Sequence, residues 1–189
     1  MGNAKERDHI ATHFFVGGSS WLLARRGYDE HAQMAEENLK AAATLELTGN
    51  VTGSGLELDV VVNNVGAGHK IPTGVTYIRK MWLEVTVKND KGQTVFVSGH
   101  PDGDNAIDPD AVFFRKLFLD KDGNLTSKSW LAEGIGYDRR IPAKGSDRET
   151  YIIQAEGTSY TATVRLLYRS TAQAAIDRHF EGQELEIPS

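Results

Sequence analysis

The segment VVNNVGAGHKIPTGVTYIRK (61–80) carries the residues of this chain best suited to chemistry. Three of its glycines can adopt positive φ at little steric cost: Gly66, Gly68 and Gly74. We call residues 66–74 the glycine loop; Pro72 stiffens its return. His69 is the side chain in this loop with coordinating chemistry, which makes it a candidate ligand of a metal or a haem iron. The alternative is a ring that bonds to the backbone of its own loop.

A second pair of imidazoles lies near the N-terminus, in the segment HIATHFF. His9 and His13 are four residues apart, so a helix would place them on one face, where they could share a divalent ion. Together with His69 they would form the site of a metal-dependent enzyme. The segment lacks the glutamate of the H-E-x-x-H motif, and a solvated pair on a helix face is the simpler interpretation.

The segment HPDGDNAIDPDA concentrates oxygen ligands of the kind that Ca²⁺ prefers. We call residues 102–110 the acidic loop; its candidate ligands are Asp102, Asp104, Asn105, Asp108 and Asp110. A secreted module that binds Ca²⁺ or a carbohydrate is therefore an alternative function, with Trp130 and Tyr137 as aromatic surfaces for a sugar. The simpler interpretation is a solvated loop.

Composition excludes several functions. The 189 residues include no cysteine, which excludes disulfides, thiolate metal sites and covalent haem attachment through C-x-x-C-H. A net charge of −5 argues against nucleic-acid binding. No run of about 18 apolar residues predicts a membrane span, and MGNAKERDHI lacks the apolar core of a signal peptide. Nucleotide-binding and hydrolase motifs are missing, so the sequence favours a role other than catalysis without excluding an enzyme.

The elements that must position these residues follow from periodicity. Residues 1–44 have the spacing of two or three short helices, with apolar residues on one face of the segment 28–47. Residues 45–170 change to a period of two, in seven segments separated by turn residues, which predicts an antiparallel β-sandwich of seven or eight strands, of immunoglobulin type. Residues 171–189 predict a short C-terminal helix and a tail. The predicted fold class is therefore mainly β, with an N-terminal helical segment.

These segments, in this order, resemble the C-terminal portion of multihaem c-type cytochromes of the cytochrome c554-related kind. There, a helical stretch and a β-sandwich that carries N-x-G-A-G-H-x-x-P-T-G follow the haem-attachment sites. The matching positions run from about Thr12 to Ser170. Within the motif they are Asn64, Gly66, Ala67, Gly68, His69, Pro72, Thr73 and Gly74. The chain departs from the family in lacking every C-x-x-C-H site.

The resemblance implies a haem-free accessory module, or an excised domain, that supports electron transfer by docking on a haem-bearing domain or subunit. It implies a periplasmic or extracellular location. It also makes His13 and His69 candidates for the sixth ligand of a haem iron, provided that the ring is neutral and a hydrogen bond orients its second nitrogen. Phe14, Phe15 and Trp21 would then pack around the porphyrin; the alternative places them in the core.

Overall fold

A computed structural model describes residues 14–75, 78–171, 173 and 176 of the chain. It begins with two helices, α1 (Ser20–Arg25) and α2 (Asp29–Ala42). Gly27 separates them and has a φ of 76°, a value that glycine adopts without strain. Ala32 and Ala35 are buried on one face of α2, as the spacing of its apolar residues predicts.

Nine strands follow within the described residues, arranged in three antiparallel sheets of three strands each, in the orders β1-β2-β8, β4-β3-β9 and β6-β5-β7. Their bounds are β1 Ala43–Thr52, β2 Gly55–Asn64, β3 Lys80–Asn89, β4 Thr94–Ser98, β5 Lys116–Leu119, β6 Leu125–Thr126, β7 Gly134–Asp138, β8 Ser146–Gln154 and β9 Tyr160–Arg169. A short 3₁₀ helix, Ser129–Leu131, precedes β7. The mainly β class and the antiparallel sandwich are confirmed.

All seven predicted strand segments are present, but the predicted total of seven or eight strands is too low. The two additional strands, β6 and β7, pair with β5 in the third sheet. Every residue of β7 is exposed, and β6 has only two residues, so neither has the alternating burial that makes a strand visible in a sequence. The immunoglobulin-type arrangement of the strands stays a prediction.

The main core lies between the first two sheets. On β2, Leu56, Leu58, Val60 and Val62 alternate with more exposed residues and point inward. Burying one such side chain fully contributes about 1.5–3 kcal/mol. Strand β1 pairs with β2 along its whole length. Because α2 ends at Ala42, directly before β1, this pairing places the end of α2 at the edge of the core.

Strand β3 is buried on both faces, because a second small core covers its outer side. There Trp82 packs against Ala111 and Phe113, which lie just after the acidic loop. The Trp82 Nε1–H donates a hydrogen bond of 2.8 Å to the carbonyl oxygen of Gly99. The outer cover explains why β3 lacks the alternation of a strand with one solvated face.

Several predictions fall outside this description. The helix predicted within 171–189 lies almost wholly outside the described residues, as do His9 and His13. Among the residues that are described, no helix is both long and apolar enough to cross a bilayer.

Candidate functional site

A cleft of about 850 Å³ opens between the helices and the glycine loop. Trp21 and Leu39 line it from the helical side, and His69 and Pro72 from the loop. Met81 and Tyr168 contribute from β3 and β9. The volume is in the range of pockets that bind small molecules and cofactors. Because most of these side chains are apolar, the cleft suits a largely apolar group with few polar contacts.

The buried side chain of Asn64, the last residue of β2, fixes the glycine loop. Its Nδ2 donates to the carbonyl oxygens of His69, at 2.8 Å, and Ile141, at 3.3 Å. Its Oδ1 accepts from the N–H of Ala67 at 3.1 Å. One amide therefore satisfies backbone groups in the first half of the loop and joins it to the segment that precedes β8. The sequence motif includes Asn64, but this role depends on a partner 77 residues away.

The three glycines of the loop can all adopt a positive φ, but the structure uses this freedom at one of them. Only Gly74 has a positive φ, of 86°. Gly66 is needed for close approach instead: a Cβ there would lie 2.2 Å from the carbonyl oxygen of Ala41 in α2. A Cβ on Gly68 would meet open space. The shared role predicted for the glycines is therefore wrong for Gly66 and Gly68.

The far side of the glycine loop is held by a β-bridge between Ile71 and Ile141. Two backbone hydrogen bonds of 2.9 and 2.8 Å join these residues. The Ile71–Pro72 peptide bond is cis, and both residues are buried. The loop is therefore held on both sides of the exposed His69, by Asn64 and by the Ile71–Ile141 bridge.

The contacts of His69 determine which of its nitrogens is available. Its Nδ1 lies 3.0 Å from the carbonyl oxygen of Lys70. Because a carbonyl can only accept a hydrogen bond, the proton in this bond belongs to Nδ1. In the neutral ring the lone pair then lies on Nε2, the nitrogen that can bind a metal. The sequence analysis treats a bond between His69 and its own loop as the alternative to metal coordination. The structure shows that this bond leaves Nε2 able to coordinate a metal.

An ion cluster of one carboxylate and two cations lies beside His69. Asp138 accepts from Arg140 Nε at 2.7 Å and from Lys70 Nζ at 3.1 Å. The hydrogen bond from Arg140, followed by that from Lys70, holds the pKa of Asp138 far below its usual value. Lys70 is therefore turned toward β7, and its ammonium is paired where it would otherwise repel a cationic centre at His69.

Arg79 and Tyr168 join the strands to the helical segment, a link that the sequence analysis missed. Arg79 Nη1 donates to the Tyr168 hydroxyl at 2.8 Å and to Ser19 Oγ at 3.4 Å. Burial raises the pKa of Tyr168, so its hydroxyl stays protonated at neutral pH. No local motif could have identified this contact, because its members are far apart in the sequence.

The aromatic residues predicted around a porphyrin separate into two groups. Phe14 and Phe15 are 51% and 86% exposed, which contradicts a place in the core. Phe14 meets the ring of His31 edge to face, with centroids 6.0 Å apart. Trp21, by contrast, lines the cleft.

The carboxylates of the acidic loop are turned toward their own backbone. Asp102 Oδ1 accepts from the N–H groups of Asp104 and Ala106, and Asp108 Oδ1 from that of Asp110. Asn105 holds Arg169 through its carbonyl and side-chain oxygens, both at 2.8 Å. Within the described part of the chain, no three His, Cys, Asp or Glu side chains converge as a metal site would require. The calcium site and the carbohydrate surface at Trp130 and Tyr137 stay predictions.

The enzyme hypothesis required His9, His13 and His69 to meet at one ion. His9 and His13 lie outside the described residues, so their distance from His69 is not defined. His69 is therefore the one candidate haem ligand whose surroundings can be described.

Comparison with known proteins identifies the fold. No family model matches the chain, and no curated protein matches it. Among solved structures, the chain is similar to a penta-heme cytochrome c552 from Thermochromatium tepidum, with a TM-score of 0.60 and 21% sequence identity. The similarity covers 78% of this chain but only 37% of that one, so this chain spans a little over a third of the cytochrome. Its fold is thus related to part of a multihaem cytochrome.

Proposed function

We propose that this chain is a haem-free accessory module for electron transfer, which docks on a haem-bearing cytochrome domain or subunit through the cleft beside His69. The similarity to part of a penta-heme cytochrome supports the fold relationship. The larger remainder of that cytochrome has no counterpart here, and the absence of cysteine leaves this chain no site for covalent haem attachment. A partner or a further segment would therefore supply the haem.

The observation that carries the proposal is the hydrogen bond between His69 Nδ1 and the Lys70 carbonyl. It leaves the Nε2 lone pair of the neutral ring available, on a loop whose backbone Asn64 already holds at Ala67 and His69. A ligand presented in this way loses little conformational entropy on binding. A bound haem would supply the redox-active iron; this chain would supply the sixth ligand and the apolar wall of the cleft.

His13 is the second candidate for the same role. It directly precedes Phe14, the first residue of the described chain, and Gly17 and Gly18 a few positions later line the cleft. A periplasmic or extracellular location follows from the proposed partner, because c-type cytochromes of this kind are exported.

The test uses a haem peptide that carries one histidine ligand and an open sixth position on its iron. Titration with the wild-type chain should convert the high-spin visible spectrum to that of a bis-histidine haem. We expect His69→Ala to abolish this change. His100→Ala is the matched control, because its ring is exposed in the segment after β4, 2.9 Å from Thr86 Oγ1.

The possible outcomes separate the two ligand candidates. If only His13→Ala abolishes the spectral change, the docking role is supported and His13, not His69, is the ligand. If the wild type leaves the spectrum unchanged, ligation by this chain is wrong. If the wild type changes the spectrum and neither substitution has an effect, ligation through His69 or His13 is wrong. Several C-x-x-C-H motifs in an adjacent reading frame would independently support the partner.

A further inference from the structure

Three cations lie in one row across the start of β3. Lys80 is the register partner of Arg169 in β9. On the other side of β3, Trp82 bridges to Phe113 in antiparallel register, which brings Arg115 opposite Lys80. The order across the three chain segments is therefore Arg115, Lys80, Arg169. Like charges placed directly opposite each other in a sheet repel.

Aromatic rings provide part of the compensation for this row. Lys80 Nζ and Arg115 Cζ lie 5.8 and 4.8 Å from the centroid of Phe113, and Arg169 Cζ lies 5.4 Å from that of Trp82. Arg169 also donates to both oxygens of Asn105. Lys80 and Arg115, in contrast, form no ion pair with any residue in the described ranges.

A hollow of about 260 Å³ opens beside this row. Its lining includes Arg79, Lys80 and Arg115, together with Ser127. Burial lowers the pKa of Lys80, and the charges of Arg115 and Arg169 lower it further. Lys80 and Arg115 both line the hollow and pair with no carboxylate in the described part of the chain. In a chain whose net charge is −5, this local positive charge is suited to binding an anion.

We propose that this hollow is an oxyanion-binding site, which takes a carboxylate or phosphate group between Lys80 and Arg115. Arg115 offers the planar donors that both groups accept, and Lys80 offers a compact charge. The bound anion would relieve the repulsion along the row. The site is distinct from the cleft at His69, although Met81 lines both.

The test is isothermal titration calorimetry of the chain with inorganic phosphate and, separately, with succinate, at ionic strength held constant with chloride. We expect saturable binding at one site for at least one of them, and the tighter of the two identifies the preferred group. Lys80→Gln and Arg115→Gln should each weaken binding at least about tenfold. Lys116→Gln is the matched control: it removes the same charge from the neighbouring residue, whose ammonium lies over Phe118 instead.

A thermal melt provides a second measurement that also checks folding. In chloride alone, Lys80→Gln should melt above the wild type, because the repulsion is removed. The anion should raise the melting temperature of the wild type but not that of Lys80→Gln. Equal weakening by Lys116→Gln, or no saturable binding of either anion, would overturn the site. No haem is present in these experiments, so their failure would leave the docking proposal unaffected.

Discussion

The sequence predicts a ligand site in both the glycine loop and the acidic loop, yet the polar groups of the two loops have different partners in the structure. In the glycine loop, the buried Asn64 satisfies the backbone from outside, and the imidazole of His69 stays exposed with one nitrogen available. In the acidic loop, carboxylates such as Asp102 satisfy the backbone of the loop itself. A loop can present a side chain to a ligand when other residues hold its backbone.

The largest effect should come from removing the anchor of the glycine loop. Asn64→Ala leaves the Ala67 N–H and the carbonyls of His69 and Ile141 without their partner in a buried site. We expect a loss of about 3 kcal/mol in the free energy of unfolding, measured with denaturant. Asn63→Ala is the control, because its side chain bonds only the exposed Glu46 at 2.8 Å and should cost less than about 1 kcal/mol. Equal losses would mean that Asn64 is not a special anchor.

Substitution of two glycines in the same loop should lower the free energy of unfolding by different amounts. Gly66→Ala places a Cβ against the Ala41 carbonyl of α2, so the backbone must shift, at a cost of about 2 kcal/mol. Gly68→Ala meets open space at a negative or extended φ and should stay within about 0.5 kcal/mol of the wild type. The same denaturant measurement compares them. A harmless Gly66→Ala would show that α2 and the loop are not in tight contact.

The smallest expected effect concerns the acidic loop. Asp102→Ala removes the acceptor of two backbone N–H groups and should cost about 1 kcal/mol by thermal or chemical unfolding. Because the carboxylates already serve the backbone, we expect added Ca²⁺ to leave the melting temperature of the wild type unchanged. A rise of several degrees that Asp102→Ala abolishes would restore the calcium site and remove the contrast between the two loops.

The parts of the fold that the sequence predicts are those with a local signal. Alternation along β2 and the apolar face of α2 are visible because burial is periodic there. Strand β7 is exposed throughout, so its alternating Ile135 and Tyr137 mark no buried face, and Gly134 and Gly136 lower its strand propensity. The burial of both faces of β3 depends on a cover contributed by residues 107–113, which alternation cannot reveal.

The same division applies to the sites. The glycine loop and His69 stand out by composition, whereas the role of Gly66 requires knowledge of where α2 ends. The cation row depends on cross-strand register: Lys80, Arg115 and Arg169 are distant in the sequence and become neighbours only when β3 pairs with β9 and with the segment around Phe113.

The double burial of β3 has a consequence for the time scale of the molecule's motions. Its amides belong to a strand that pairs with β9 along its whole length, on its other edge with β4 from Val85 to Lys88, and near Leu83 with the segment at Val112, and cores lie above and below it. Solvent deuterium can reach such amides only when the entire sandwich opens. The exchange rate of the β3 amides therefore reports the rate of global opening. Faster exchange in the glycine loop or the third sheet would then measure local fraying by comparison.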